Sequence, residues 1–199
     1  AQIYITNNVV TAGSATVVDS VLGARADGSD PGAARGSSAM AINGASTVTN
    51  NYMAFLDISG VRFNGLYYGN SDGSTFVNNE VHTVAGSHTA GDAITVDSQG
   101  NTVRGNYVHD VALATVVYPY NGKGIELWYD SNNNLIDNNT IVSAVTAGIG
   151  LGDNANNNTI SKNVITGATG FGGEGGAGIL VTHFTGPTAP TANYRPPRR

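Results

Sequence analysis

Residues 156–167 read NNNTISKNVITG, and a near twin, NNNLIDNNTIVSA, stands upstream at 132–144. A phrase this polar is repeated only if a fold requires it. Its kernel is an apolar residue, two variable residues, an Asn, one variable residue and a second apolar residue. The kernel recurs as ITNNVV, VTNNYM, FVNNEV, VRGNYV, IDNNTI and ISKNVI. Aligned, the copies put Asn8, Asn51, Asn79, Asn106, Asn139 and Asn163 in one column. Ile5, Val48, Phe76, Val103, Ile136 and Ile160 precede it, and Val10, Met53, Val81, Val108, Ile141 and Ile165 follow it. Both flanking columns are wholly apolar in a chain that is 40% hydrophobic, which marks a structural repeat.

A second phrase lies between the copies, as AINGA, GLYYG, AITVD, GIELW, GIGLG and GILVT, anchored on Ile42, Leu66, Ile94, Ile125, Ile149 and Ile179. Each repeat therefore holds short apolar-centred segments separated by Asn, Gly, Asp and Ser. Segments this short have the period of strands, not helices. One repeat is one turn of a coil, with strands from successive turns about 4.8 Å apart. The apolar columns fill its inside. The Asn column takes a tight turn, where Asn tolerates left-handed backbone and its amide bonds to the Asn above and below.

The run NTVRGNYVHDVALATVVYPYNGKGIELWYDSNNNLIDNNTI resembles the right-handed parallel β-helix repeat of the pectate-lyase-like proteins. The resemblance covers roughly residues 40–183. It implies an all-β solenoid of about six turns with an Asn ladder, three parallel sheets and long loops before the first strand of each turn. It also implies a sugar groove over that first strand. The Arg-x-Pro-x-x-Arg motif of one pectate lyase group and the Asn-Thr-Asp and Gly-His-Gly motifs of polygalacturonases do not occur, so the resemblance transfers a fold and a groove position only.

The expected organisation is one β-helix domain over 1–184, followed by a Pro-rich extended tail at 185–199. Within the domain, 14–40 reads as a long loop with a short helix in SATVVDSVLGARA. Charged residues make up 12% and the net charge is −5, which excludes a nucleic-acid polyanion as partner. Cys is absent, so there are no disulfides or thiolate metal sites. No apolar run reaches the ~18 residues of a membrane span. A low-charge, Asn-, Thr- and Gly-rich solenoid suits secretion, to the extracellular space or the cell surface.

On the first-strand face, two outward columns are expected. One is Asn43, Tyr67, Thr95, Glu126, Gly150 and Leu180; the other is Gly69, Asp97, Trp128, Gly152 and Thr182. Aromatic rings offer apolar faces to pyranoses, and carboxylates bind hydroxyls or move protons. Lys123, Glu126 and Asp97 are thus the candidate catalytic residues, with Tyr67, Trp128, Tyr118 and Tyr120 as substrate contacts. Asp97 and Glu126 sit in adjacent turns two residues apart, so their backbones are about 8 Å apart. That spacing fits inverting hydrolysis of a glycan. A lyase would instead use Lys123 as base, with Asp92, Asp97 and Glu126 as oxygen ligands for Ca²⁺. A secondary candidate is His82 with His109, one turn apart and joined by Asp110, suited to a transition metal or to proton transfer.

Two functions follow as expectations. One is a secreted protein that binds or cleaves an acidic polysaccharide. The alternative is a structural or adhesive solenoid, without catalysis, whose copies stack head to tail into filaments.

Overall fold

The computed structural model describes residues 4–5, 9–11, 13–32, 36–63, 65, 70–86, 92–113, 122–152, 154–171 and 174–181. The chain winds as a parallel solenoid with three faces. The second face is the simplest: six strands of three residues, Thr16–Val18, Thr47–Thr49, Thr75–Val77, Thr102–Arg104, Leu135–Asp137 and Thr159–Ser161, are stacked in sequence order. The third face carries longer strands, among them Glu80–Gly86 and Tyr107–Leu113. The first carries Ile94–Val96, Ile125–Leu127 and Ala147–Leu151. One strand, Tyr52–Phe63, runs through both, pairing with Glu80–Gly86 at its start and Ile94–Val96 at its end.

Alternation fills the coil. Val48, Phe76, Val103 and Ile136 point inward from the second face, and Met53, Val81, Val108 and Ile141 from the third. Val61, Ile94, Ile125 and Ile149 do so from the first, and all twelve are 0% exposed. No turn can bury these side chains alone; the turns above and below supply the apolar partner. Phe63 and Phe76 meet edge to face, with ring centroids 5.8 Å apart, where the first and second faces close on each other.

The Asn column is a ladder. Asn79 N–H donates to Asn106 Oδ1 at 2.9 Å, Asn106 N–H to Asn139 Oδ1 at 3.0 Å, and Asn139 N–H to Asn163 Oδ1 at 2.9 Å. The side-chain amides turn back to main-chain carbonyls, as Asn106 Nδ2 does to Phe76 O at 3.0 Å. Left-handed backbone belongs to the residue before the ladder Asn: φ is +58° at Asn50, +55° at Asn78, +65° at Gly105 and +55° at Asn138. The turn and the ladder are thus divided between neighbours, contrary to the expectation that one Asn does both.

A second ladder closes the other end of the second face. Ser46 N–H donates to Ser74 Oγ at 3.0 Å, Ser74 N–H to Asn101 Oδ1 at 2.9 Å, Asn101 N–H to Asn134 Oδ1 at 2.8 Å, and Asn134 N–H to Asn158 Oδ1 at 2.9 Å. On the third face, a left-handed residue bends the four longer strands, at Phe55, Thr83, Asp110 and Ser143, with φ between +50° and +58°.

The first turn departs from the sequence expectation. Ile5 pairs with Leu22 and Leu22 with Met53, so Ile5 belongs to the column after the ladder and not the one before it, while Asn8 lies outside the described residues. Ser20 holds that place and donates its N–H to Asn51 Oδ1 at 3.0 Å. The segment expected as a loop with a short helix instead contains the strands Thr16–Val18 and Val21–Leu22. Its β-branched run stacks on Thr47–Thr49, and this pairing outweighs any local helical tendency. The tail at 185–199 lies outside the described residues. Among the described residues, no helix is long and apolar enough to cross a membrane.

Candidate functional site

Strand register fixes the outer surface of the first face. Thr95 pairs with Glu126 on one side and Arg62 on the other, and Glu126 pairs with Gly150. Arg62 in turn pairs with Ala41. The outward column therefore reads Ala41, Arg62, Thr95, Glu126 and Gly150, without Asn43 or Tyr67. The phrases AINGA and GLYYG misled by two and five residues respectively, because the pairing segments are the preceding Met40–Ala41–Ile42 and Val61–Arg62–Phe63. Tyr67 itself, with Tyr118 and Tyr120, lies outside the described residues.

The neighbouring column holds as expected over Asp97, Trp128 and Gly152. Trp128 N–H donates to Val96 O, and Gly152 N–H to Leu127 O, each at 3.0 Å. Two glycines shape this surface. A Cβ on Gly152 would stand 2.3 Å from Trp128 Cζ3, and one on Gly150 would stand 2.3 Å from Lys123 Cδ. The indole and the lysine stem thus lie against bare backbone one turn beyond Glu126 and two turns beyond Asp97.

The carboxylates on this face are largely buried, with side chains 9% exposed at Asp97 and 10% at Glu126. Glu126 Oε1 accepts from Lys123 Nζ at 2.9 Å, and the two side chains are 10% and 5% exposed. Asp92 accepts the Lys123 backbone N–H at 2.8 Å and shares a side-chain hydrogen bond with Glu126. Burial, then the charge of Asp92, pushes Glu126 well above the usual 4.5, against the pull of Lys123. A hydrogen bond between two carboxyl groups needs a proton on one of them, and burial disfavours the charged form of Glu126.

Asp97 differs. Its Oδ2 accepts from Arg62 Nε at 2.8 Å and also from Arg62 Nη2, while its Oδ1 is buried without a hydrogen-bond partner. Burial raises its pKa above the usual 3.8, opposed by Arg62 and assisted by the charge of Asp92. Arg62, absent from the sequence expectation, thus neutralises one acid and Lys123 the other. Its only signal was the pattern V-R-F, a polar residue between two apolar ones in a first-strand position.

The structure brings Lys123, Glu126, Asp92, Asp97 and Trp128 onto one surface. His82 and His109 lie on the third face, where the strands pair them directly. Their rings stack with centroids 4.5 Å apart and planes 6° from parallel. Arg104, with its side chain about half exposed, pairs with the buried Asp137 on the second face, Nε to Oδ2 at 3.0 Å, and the exposure of the cation keeps the contribution small.

A family model described as a right handed beta helix region matches residues 34–190. No curated protein and no solved structure matches the chain significantly.

Proposed function

The chain belongs to the right-handed β-helix family, and from that premise we propose that its first face binds an acidic polysaccharide outside the cell and cleaves it by hydrolysis. One observation carries the reading: two buried carboxyl groups in adjacent turns are both raised above their usual pKa, Glu126 the more strongly, beside an indole packed on Gly152. Glu126, whose burial favours the protonated form, is the acid toward the glycosidic oxygen. Asp97, with Oδ1 unpartnered, is the base that takes a proton from water. Their backbones, two residues apart on neighbouring strands, are about 8 Å apart, compatible with a water between the carboxyl groups. Trp128 offers a ring face to a pyranose, and the 40%-exposed Arg62 side chain offers a counter-charge to a uronate. No metal enters this reading, because Arg62 and Lys123 already neutralise the two acids.

The test is incubation with polyuronates and neutral glycans, measuring new reducing ends alongside the ultraviolet absorbance of unsaturated ends. Reducing ends alone are expected. Asp97→Asn and Glu126→Gln should each lower turnover at least about a hundredfold. Turnover that survives both substitutions overturns the assignment.

A second reading, head-to-tail stacking of copies, has one observation in its favour. The first-face columns that are 0% exposed at Ile125 and Leu127 reach the last described strand as Ile179, 50% exposed, and Val181, 76% exposed. Light scattering at increasing concentration tests it; a strictly monomeric particle removes it.

A further inference from the structure

On the outer side of the third face, Tyr52, Glu80 and Tyr107 form one column, and Ala54, His82 and His109 the next but one. Each imidazole is held at both nitrogens. His82 Nδ1 lies 2.8 Å from Thr83 Oγ1, and its Nε2 lies 2.6 Å from the Tyr52 hydroxyl. His109 Nδ1 lies 2.9 Å from Asp110 Oδ2, and its Nε2 lies 3.2 Å from Glu80 Oε1.

The two rings differ in what they face. Hydroxyls donate or accept, so His82 is satisfied in either neutral tautomer. His109 faces a carboxylate at each nitrogen, and carboxylates only accept. A neutral imidazole has one N–H, so one of the two contacts needs a second positive centre, either a proton or a metal cation. Asp110, adjacent in sequence and turned left-handed at φ +54°, is placed to take the Nδ1 proton, which aims the Nε2 lone pair at Glu80.

We propose that Glu80, His82 and His109 bind a divalent transition-metal ion of the zinc class. Their ligand atoms all lie within 4.8 Å of one another. The 3.2 Å between His109 Nε2 and Glu80 Oε1 matches the edge of a tetrahedron with metal–ligand bonds of 2.0–2.1 Å, about 3.3 Å. These two are the primary pair. His82 joins by exchanging its Tyr52 hydroxyl contact for the metal, and solvent supplies the fourth ligand. The Glu80 side chain is 41% exposed, which leaves the ion a route in. Two nitrogens and one oxygen select zinc, nickel or copper over Ca²⁺.

The experiment is calorimetric titration of zinc, and separately of Ca²⁺, into the full chain near pH 7, with far-ultraviolet dichroism confirming that each variant is folded. The expected result is one zinc per chain and no response to Ca²⁺. His109→Gln and Glu80→Gln should weaken zinc at least about tenfold, and Asp110→Asn should do so about tenfold through ring orientation. Cobalt in place of zinc should give the visible absorption of a tetrahedral site. Absence of saturable zinc binding overturns the proposal. Equal zinc affinity in a folded His82→Gln/His109→Gln double variant also overturns it.

Discussion

The indole of Trp128 rests on the backbone of Gly152, so close that a single added methyl carbon would stand 2.3 Å from Cζ3. Gly152 has ordinary backbone angles, so Gly152→Ala acts through this contact alone. The ring should be lifted off the sheet, shifting the emission of the chain's single tryptophan to the red. If the indole stacks on sugar, affinity for the bound glycan falls about three- to tenfold, the value of one aromatic contact. Unchanged emission would mean that the ring does not lie there.

The ladders predict a gradient of damage along the coil. Asn106 accepts from the Asn79 N–H and donates to Phe76 O and Asn139 Oδ1, all buried. Asn106→Ala strands the first two groups at once and should cost about 3 kcal/mol. Asn163, half-buried in the last rung, should cost about 1 kcal/mol. Urea denaturation of both variants checks the ordering, and equal losses would contradict it.

Glu126 makes stability depend on pH in a defined direction. Its folded pKa lies above the unfolded value near 4.5, so above that pH the native state keeps a proton that the unfolded chain releases. Stability therefore falls as pH rises from 4.5 toward the folded value, by about 1.4 kcal/mol per unit. Glu126→Gln should flatten the profile in that window while keeping an acceptor for Lys123. Urea midpoints between weakly acid and neutral pH measure the slope; identical slopes would refute the retained proton.

Arg62→Met should remove the cation that pairs with Asp97. Removing one partner of a fully buried pair costs about 3–5 kcal/mol, but Arg62 is 40% exposed, so about 1–2 kcal/mol is expected here. The loss should be smaller at acid pH, where Asp97 is protonated. A uniform loss at all pH would assign the effect to packing.

The sequence revealed the coil wherever the repeat kept its Asn. Asn79, Asn106, Asn139 and Asn163 each stand in an unbroken apolar–Asn–apolar phrase, and buried amides of this kind cannot vary without losing several hydrogen bonds. The first rung escaped because Ser20 does the same work with a hydroxyl-bearing residue, so V-V-D-S-V-L did not look like V-T-N-N-Y-M. The second ladder escaped for the same reason, since its early members are Ser46 and Ser74. Within the candidate site, Asp97, Glu126 and Trp128 were legible because a strict period of two governs strands one turn apart. Arg62 was not, because the stretch between it and the next rung is long and offers a more conspicuous aromatic phrase, GLYYG. How deeply Asp97 and Glu126 are buried, and which cation each meets, depends on contacts between turns that no single segment encodes.

The two ladders stand five residues apart in every rung from Ser46–Asn51 to Asn158–Asn163, while equivalent rungs are separated by 31, 28, 27, 33 and 24 residues from Ser20 to Asn163. A fixed clamp and a free remainder make the molecule modular. Stretches outside the clamp can be lengthened, trimmed or exchanged without resetting the frame of the turns that follow, so the exterior can be rewritten one turn at a time on an interior that stays the same.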